Sequence, residues 1–273
     1  MVPRCYTSDS MTDRDRLGFS TEDWVKKLRD QARDSRNYRR KLYDRVGLRD
    51  CQRVLDVGCG TGAITGELAE LAAGKVIGVD IDDSKLERAR EAFGHVGGLE
   101  FRHGDAQDLP FPDDTFDLVT FTIVLVYVPD KDRALREMAR VTRPGGHVLA
   151  TLEPDYASWI EYPPGQLIES FLDQMREMGG DLETGRKLKW LFSRAGLVTE
   201  VGMDTEDDYV YQVSDARRLE RFDQDRWVFK RLLTDAGRSE GEADRHIDEE
   251  RARIEAGLSF NFMPAFYAIG RKP

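Results

Sequence analysis

The sequence predicts a doubly wound α/β domain, a mostly parallel sheet with helices on both faces, extended by a helical cap insertion. Three observations predict it. Short apolar runs of strand length alternate with helical patterns five times between Val54 and Leu152, and parallel strands are what such crossover connections require. A glycine turn, Gly58-Cys59-Gly60-Thr61-Gly62, stands directly after the first run. A carboxylate, Asp80, closes the second run, at the strand end where open sheets of this class receive their ligands.

Taken in order, residues 1–20 are rich in Asp, Arg, Ser and Thr and read as a flexible N-terminus. Residues 21–50 hold one or two helices over Trp24 to Val46, with Trp24, Leu28, Tyr38 and Leu42 as apolar contacts. The core occupies residues 51–203 and 261–273. Val54 to Val57 reads as a buried strand and Ala63 to Ala73 as an amphipathic helix. Further strands are expected at Val76 to Val79, Leu99 to Arg102, Phe116 to Phe121 and His147 to Leu152, the last entered through a turn at Arg143-Pro144-Gly145-Gly146. Asp83 or Ser84 is the expected cap of the helix after Asp80. Leu182 to Ala195 reads as a helix stopped by Gly196, Leu197 to Met203 as a sixth strand, and Ala265 to Gly270 as the last.

Two segments fall outside this alternation. Pro154 to Gly180 carries Tyr156, Trp159, Tyr162 and the Pro163-Pro164 pair before a helix. Residues 204–260 separate the last two strands by a stretch far longer than the usual four to six residues or so, and must be structured or functional. Leu219, Phe222, Trp227, Phe229 and Leu232 give this stretch a helical, cap-like pattern. Both segments leave the ligand-binding end of the sheet, so they are expected to form a substrate pocket, although any one of these aromatics is more readily the cap's own core.

Glycines at a turn let the backbone approach a ligand where a Cβ would collide. The N–H groups that open the following helix favour an anionic or polar group, and Asp80 can accept from both hydroxyls of a ribose. A nucleoside-bearing cofactor follows. Gly58, Gly60, Ala63 and Asp80 fit a dinucleotide fingerprint. Asp56, two positions before the first glycine, does not: beside a pyrophosphate it would be repelled. S-adenosylmethionine brings an ammonium to the same place and no phosphate.

VLDVGCGTG (Val54 to Gly62), GVDID (Gly78 to Asp82), GDAQDLPFPDDTFD (Gly104 to Asp117) and RPGG (Arg143 to Gly146) occur together in one order and spacing. In these motifs the sequence resembles the class I S-adenosylmethionine-dependent methyltransferases, especially the branch acting on small molecules. The resemblance is close over Tyr43 to Pro154 and looser toward the end of the chain. It implies a Rossmann-like, seven-stranded sheet whose last strand runs antiparallel beside the fifth. It further implies that Asp56 and the backbone at Gly58 and Gly60 hold the methionine end, and that Asp80 takes the ribose hydroxyls. Ile81 would pack on the adenine, with Asp105 accepting from its amino group and the Ala106 N–H reaching a ring nitrogen. The plainer alternatives are that Asp80 caps a helix and Asp105 is an ordinary turn residue.

Composition narrows the partners. The net charge of −10 argues against nucleic acid, and no stretch approaches the roughly twenty apolar residues of a membrane span. The basic cluster from Arg36 to Lys41 reads as a solvated helix face. The polar start of the chain has no apolar signal-peptide core, so the expected compartment is cytoplasmic. Cys5, Cys51 and Cys59 form no CxxC pair, and the four histidines lack ligand spacing; no metal is expected. Oligomeric state is not legible.

Methyl transfer from a sulfonium is an in-line displacement at carbon, so alignment and exclusion of water matter most. A base is needed only for a protonated acceptor. Tyr127, Glu153, Asp155 and Tyr156 are the candidates near the reacting methyl; relatives often carry His where Tyr127 stands, which counts against a histidine base. The stretch Phe121-Thr122-Ile123-Val124 lacks the Asn/Asp-Pro-Pro-aromatic signature of amino-group methylation on adenine or glutamine. A small-molecule methyl acceptor with an O, N or C nucleophile is therefore expected. An NAD(P)-dependent oxidoreductase and a non-catalytic S-adenosylmethionine-binding protein are the alternatives.

Overall fold

The structure, a computed structural model, describes residues 21–203 and 215–273. The expected flexible N-terminus, Cys5, residues 204–214 of the insertion and the side chain of Trp24 lie outside the described residues.

Seven strands form the central sheet: β1 (Arg53–Val57), β2 (Lys75–Asp80), β3 (Leu99–His103), β4 (Phe116–Phe121), β5 (Thr142–Pro154), β7 (Val198–Gly202) and β9 (Ala265–Arg271). Their spatial order is β3-β2-β1-β4-β5-β9-β7. Strands β1 to β5 pair in parallel, and β9 lies antiparallel between β5 and β7. The Rossmann-like sheet with its antiparallel last strand is thus the fold observed. Order reverses between β1 and β4, which opens the crevice in which such sheets bind ligands.

Alternate residues of each central strand face opposite layers, which is why the strands read as continuous apolar runs. Leu55, Val57 and Val119 pack with Leu135 and Met138 of α5 (Lys131–Val141) and Phe192 of α7 (Thr184–Arg194). Val54, Val76 and Leu118 pack with Tyr38 and Leu42 of α2 (Arg36–Arg45) and Leu68 of α3 (Ala63–Leu71). Each such buried aliphatic chain contributes on the order of 1.5–3 kcal/mol. The remaining helices are α1 (Thr21–Asp34), α4 (Asp83–Phe93), α6 (Gln166–Glu177), α8 (Asp215–Asp235) and α9 (Glu240–Glu255).

Four details differ from expectation. The cap of α4 is Asp82, whose carboxylate accepts from the N–H groups of Ser84 and Lys85; Asp83 and Ser84 already lie inside the helix. Arg143 to Gly146 is a bulge within β5 rather than a turn before it: the pairing jumps from Phe116↔Thr142 to Leu118↔His147, with Gly145 at φ 77. The basic cluster is not a wholly solvated face, because Arg39 is buried on Glu67, and Arg36 and Arg40 approach the same carboxylate at 3.4 Å. A small second sheet pairs β6 (Ile160–Tyr162) with β8 (Phe260–Phe262); three-residue strands are too short to show a period in sequence.

The cap is helical in its described part. Helices α8 and α9 pack through Phe222, Leu233, Ala243, Ile247 and Ile254, with Ser239 forming a capping box with Glu242 at the start of α9. Helix α6 joins them through Leu167 and Phe171.

Candidate active site at the carboxyl end of the sheet

The turn after β1 is built for close approach. The N–H groups of Gly58 and Cys59 both donate to Val79 O, at 2.8 and 2.9 Å, tying the turn to β2. Gly58 has φ 70, and a Cβ there would stand 2.5 Å from Val124 Cγ2. Only glycine meets both demands. The turn ends at Gly62, φ 81, where α3 begins.

Beyond this turn lies a cavity of about 830 Å³. Gly58, Gly60, Asp80, Ile81, Asp105 and Ala106 form its core-side wall. Asp80 Oδ2 accepts from Gly60 N at 2.7 Å and Oδ1 from Asp82 N at 3.0 Å. Burial raises its carboxyl above the usual range, opposed by Lys85 and these N–H groups. Asp105 accepts from Gln107 N at 2.8 Å, which shapes the turn that presents Ala106.

Asp56 sits differently. It is buried and is not among the residues lining the cavity; Thr65 Oγ1 donates to it at 2.7 Å. Burial pushes its carboxyl up to about 7, against the Thr65 hydrogen bond and the charge of Arg39. The carboxyl therefore lies behind the turn, while Gly58 and Gly60 form the surface.

Of the residues considered for proton transfer, Tyr127 and Tyr156 line the cavity. Tyr156 packs against Phe171, edge on, with centroids 5.0 Å apart, and stacks on Trp159 at 6.1 Å. Glu153 and Asp155 do not line it. Asp155 is buried against Arg186, which donates Nε and Nη2 to its two oxygens at 2.6 Å. Glu153 is buried with Oε1 accepting from Val124 N at 2.8 Å.

Two walls were not anticipated. Helix α1 contributes Lys27, Leu28, Gln31 and Asp34, and Leu28 Cδ1 lies 2.9 Å from where a Cβ of Gly60 would stand. The spacing i, i+4, i+7 of Lys27, Gln31 and Asp34 marks one helix face, but a polar face carries no sign of what it covers. Lys27 Nζ reaches both oxygens of Asp225 on α8 at 2.7 Å, so α1 and the cap meet over the crevice. The small sheet adds Glu161 and Asn261, paired neighbours on its cavity face. Among the described residues no His, Cys, Asp and Glu cluster is arranged to hold a metal ion, and no helix is long and apolar enough to cross a membrane.

Residues 55–150 match the family model of a methyltransferase domain. The ubiquinone/menaquinone biosynthesis C-methyltransferase UbiE of Cronobacter sakazakii is 44% identical over 119 residues, which is 42% of this chain and 47% of the relative. The enzyme of the same name from Escherichia coli O1:K1 is 43% identical over the same extent. The chain thus matches about half the length of these curated relatives. Among solved structures, a Haemonchus contortus phosphoethanolamine N-methyltransferase 2, in complex with phosphomonomethylethanolamine and S-adenosylhomocysteine, superposes with a TM-score of 0.65. It is 20% identical, and the match covers 97% of this chain and 61% of that one. A methyltransferase from Aquifex aeolicus matches with a TM-score of 0.53 at 22% identity, covering 68% and 93%. These two likenesses establish the fold.

Proposed function

From the premise that residues 55–150 are a class I S-adenosylmethionine-dependent methyltransferase domain, we propose that the chain transfers a methyl group from S-adenosylmethionine to an O, N or C nucleophile of a small-molecule acceptor. The observation that carries this reading is the single cavity joining the Gly58–Gly60 turn, Asp80 and Asp105 to the aromatic wall of Tyr156, Trp159 and Phe171. One end has the donors and acceptors a nucleoside needs; the other sets aromatic rings beside polar side chains such as Glu161 and Asn261, as a small-molecule pocket does.

In this reading Asp80 exchanges its Gly60 and Asp82 N–H partners for, or shares them with, the ribose hydroxyls. Ile81 packs on the adenine, Asp105 accepts from its amino group, and the Ala106 N–H donates to the ring. Gly58 and Gly60 bring backbone to the methionine end, and an ammonium arriving there favours the ionised form of the Asp56 carboxyl behind them. The cofactor supplies an activated methyl: the acceptor's electron pair forms the new bond to carbon as the carbon–sulfur pair leaves with sulfur. The chain's own task is alignment and dryness, for which α1 and the cap close the crevice. A proton, where the acceptor carries one, falls to the cavity-lining Tyr127 or Tyr156. The acidic charge of the chain disfavours nucleic acid as acceptor. The buried, unpaired thiols of Cys51 and Cys59 suit a reducing compartment such as the cytoplasm.

Calorimetric titration with S-adenosylmethionine, S-adenosylhomocysteine and NADH tests the reading, repeated on Asp80→Ala. Both sulfur compounds should bind, NADH should not, and the substitution should weaken binding by at least about a hundredfold, the low end of what two hydrogen bonds to a charged group are worth. Binding of NADH alone overturns the proposal.

A further inference from the structure

Past the last ladder pair of β4, Phe121↔Ala150, the chain turns through Thr122, Ile123 and Val124 into a short 3₁₀ turn, Leu125–Tyr127. This turn has two unfavourable features. Ile123 has φ 54, a left-handed conformation that a β-branched residue rarely adopts. The N–H of Val124 also lies beyond any strand partner, and a buried N–H must still find an acceptor. Yet this turn is a wall of the site: Ile123, Val124 and Tyr127 all line the cavity, and the Val124 methyls fill the space that Gly58 leaves open.

The acceptor comes from the neighbouring strand. Glu153, near the end of β5, is wholly buried. Its Oε1 accepts from Val124 N at 2.8 Å, while the preceding N–H, of Ile123, donates back to Leu152 O at 3.0 Å. The adjacent pair Thr122 Oγ1 and Thr151 Oγ1, 2.6 Å apart, holds the same two chains together one step earlier. Glu153 Oε2 is buried without a hydrogen-bond partner. A carboxyl so placed is poorly explained as packing, since an apolar side chain would fill the space without burying a polar atom. It is explained by the Val124 N–H that it satisfies.

We propose that Glu153 is a positioning residue: it clasps the turn after β4 and so sets where Ile123, Val124 and Tyr127 stand against the acceptor. It does not reach the reacting atoms, so the role is distinct from that of a base. The significance of the clasp for methyl transfer rests on the function proposed above; its existence does not.

The test uses methyl NMR of Ile- and Val-labelled full-length protein, first without and then with S-adenosylhomocysteine. Glu153→Met removes the acceptor at similar volume, and Glu153→Gln keeps a carbonyl oxygen for Val124 N. In Glu153→Met the methyl signals of Ile123 and Val124 should shift or split, while those of Val54 and Val76, near the amino ends of β1 and β2, hold still. Glu153→Gln should restore the wild-type positions, which a side chain serving only to fill space would not require. Unmoved Ile123 and Val124 signals in Glu153→Met overturn the proposal, as does equal disturbance in Glu153→Gln. Should Glu153→Met fail to fold, Glu153→Asp, one methylene too short for Val124 N, takes its place with the same two outcomes. The Ile81 signal separates the two readings: its failure to move with S-adenosylhomocysteine counts against the methyltransferase function and leaves the clasp standing.

Discussion

Replacing Glu153 by glutamine should change how stability varies with pH, and the size of the change follows from the burial of this carboxyl. Burial, opposed chiefly by the N–H of Val124, pushes it from 4.5 up to about 8. Between those values the unfolded chain has released its proton and the folded chain still holds it. Stability therefore falls as pH rises through this window, at about 1.4 kcal/mol per pH unit, and levels off above the folded value. The whole window corresponds to about 5 kcal/mol, and the span from about pH 5 to pH 7 to about 3 kcal/mol. A glutamine titrates in neither state, so the variant lacks this decline. Denaturant unfolding of both proteins across this range measures it. Subtracting the two curves cancels every other titrating group, Asp56 included, provided Glu153→Gln leaves them in place. The variant should gain on the wild type by about 3 kcal/mol between about pH 5 and pH 7, a large share of the roughly 5–15 kcal/mol that holds a domain together. A difference that stays flat with pH refutes the reasoning, because it means Glu153 is already ionised in the folded protein.

Two further predictions concern the turn and the crevice. Gly62→Ala places a Cβ 2.8 Å from Phe101 Cζ at φ 81, which should destabilise by about 2–4 kcal/mol from backbone strain and overpacking together; an unchanged thermal midpoint contradicts this. Lys27→Ala removes the ion pair that ties α1 to α8, a contact with both side chains about one-third exposed and so worth only about 0.2–1 kcal/mol. Release of S-adenosylhomocysteine, followed by stopped flow, should quicken by about two- to fivefold with little loss of stability; an unaltered rate shows that α1 does not gate the crevice.

The strands, and the residues that meet at one wall of the cavity, were legible in the sequence because their determinants are local. Val54 to Val57 and Phe116 to Phe121 are buried on both faces, so each reads as an unbroken apolar run, and β4 matches its expected span. Gly58, Gly60, Asp80, Ile81, Asp105 and Ala106 reach the same cavity wall because each follows a parallel strand, and parallel strands deliver their carboxyl ends to one edge. The place of Asp56 behind the turn was not legible: strand alternation decides which face a side chain takes, and a motif does not record it.

What the sequence by itself determined is the doubly wound sheet, the glycine turn and the carboxylates at the strand ends, all set by patterns within a few residues. What only the tertiary structure decided is how distant segments meet. Lys27 and Asp225 are 198 positions apart, and Glu153 finds Val124 across a gap of 29. Their pairing depends on the packing of whole helices and strands, and the polar faces involved look in sequence like ordinary solvated surface. Asp82 rather than its neighbours caps α4, and Arg39 turns inward to Glu67, for the same reason: a polar side chain takes the partner that the fold brings within reach once water is excluded.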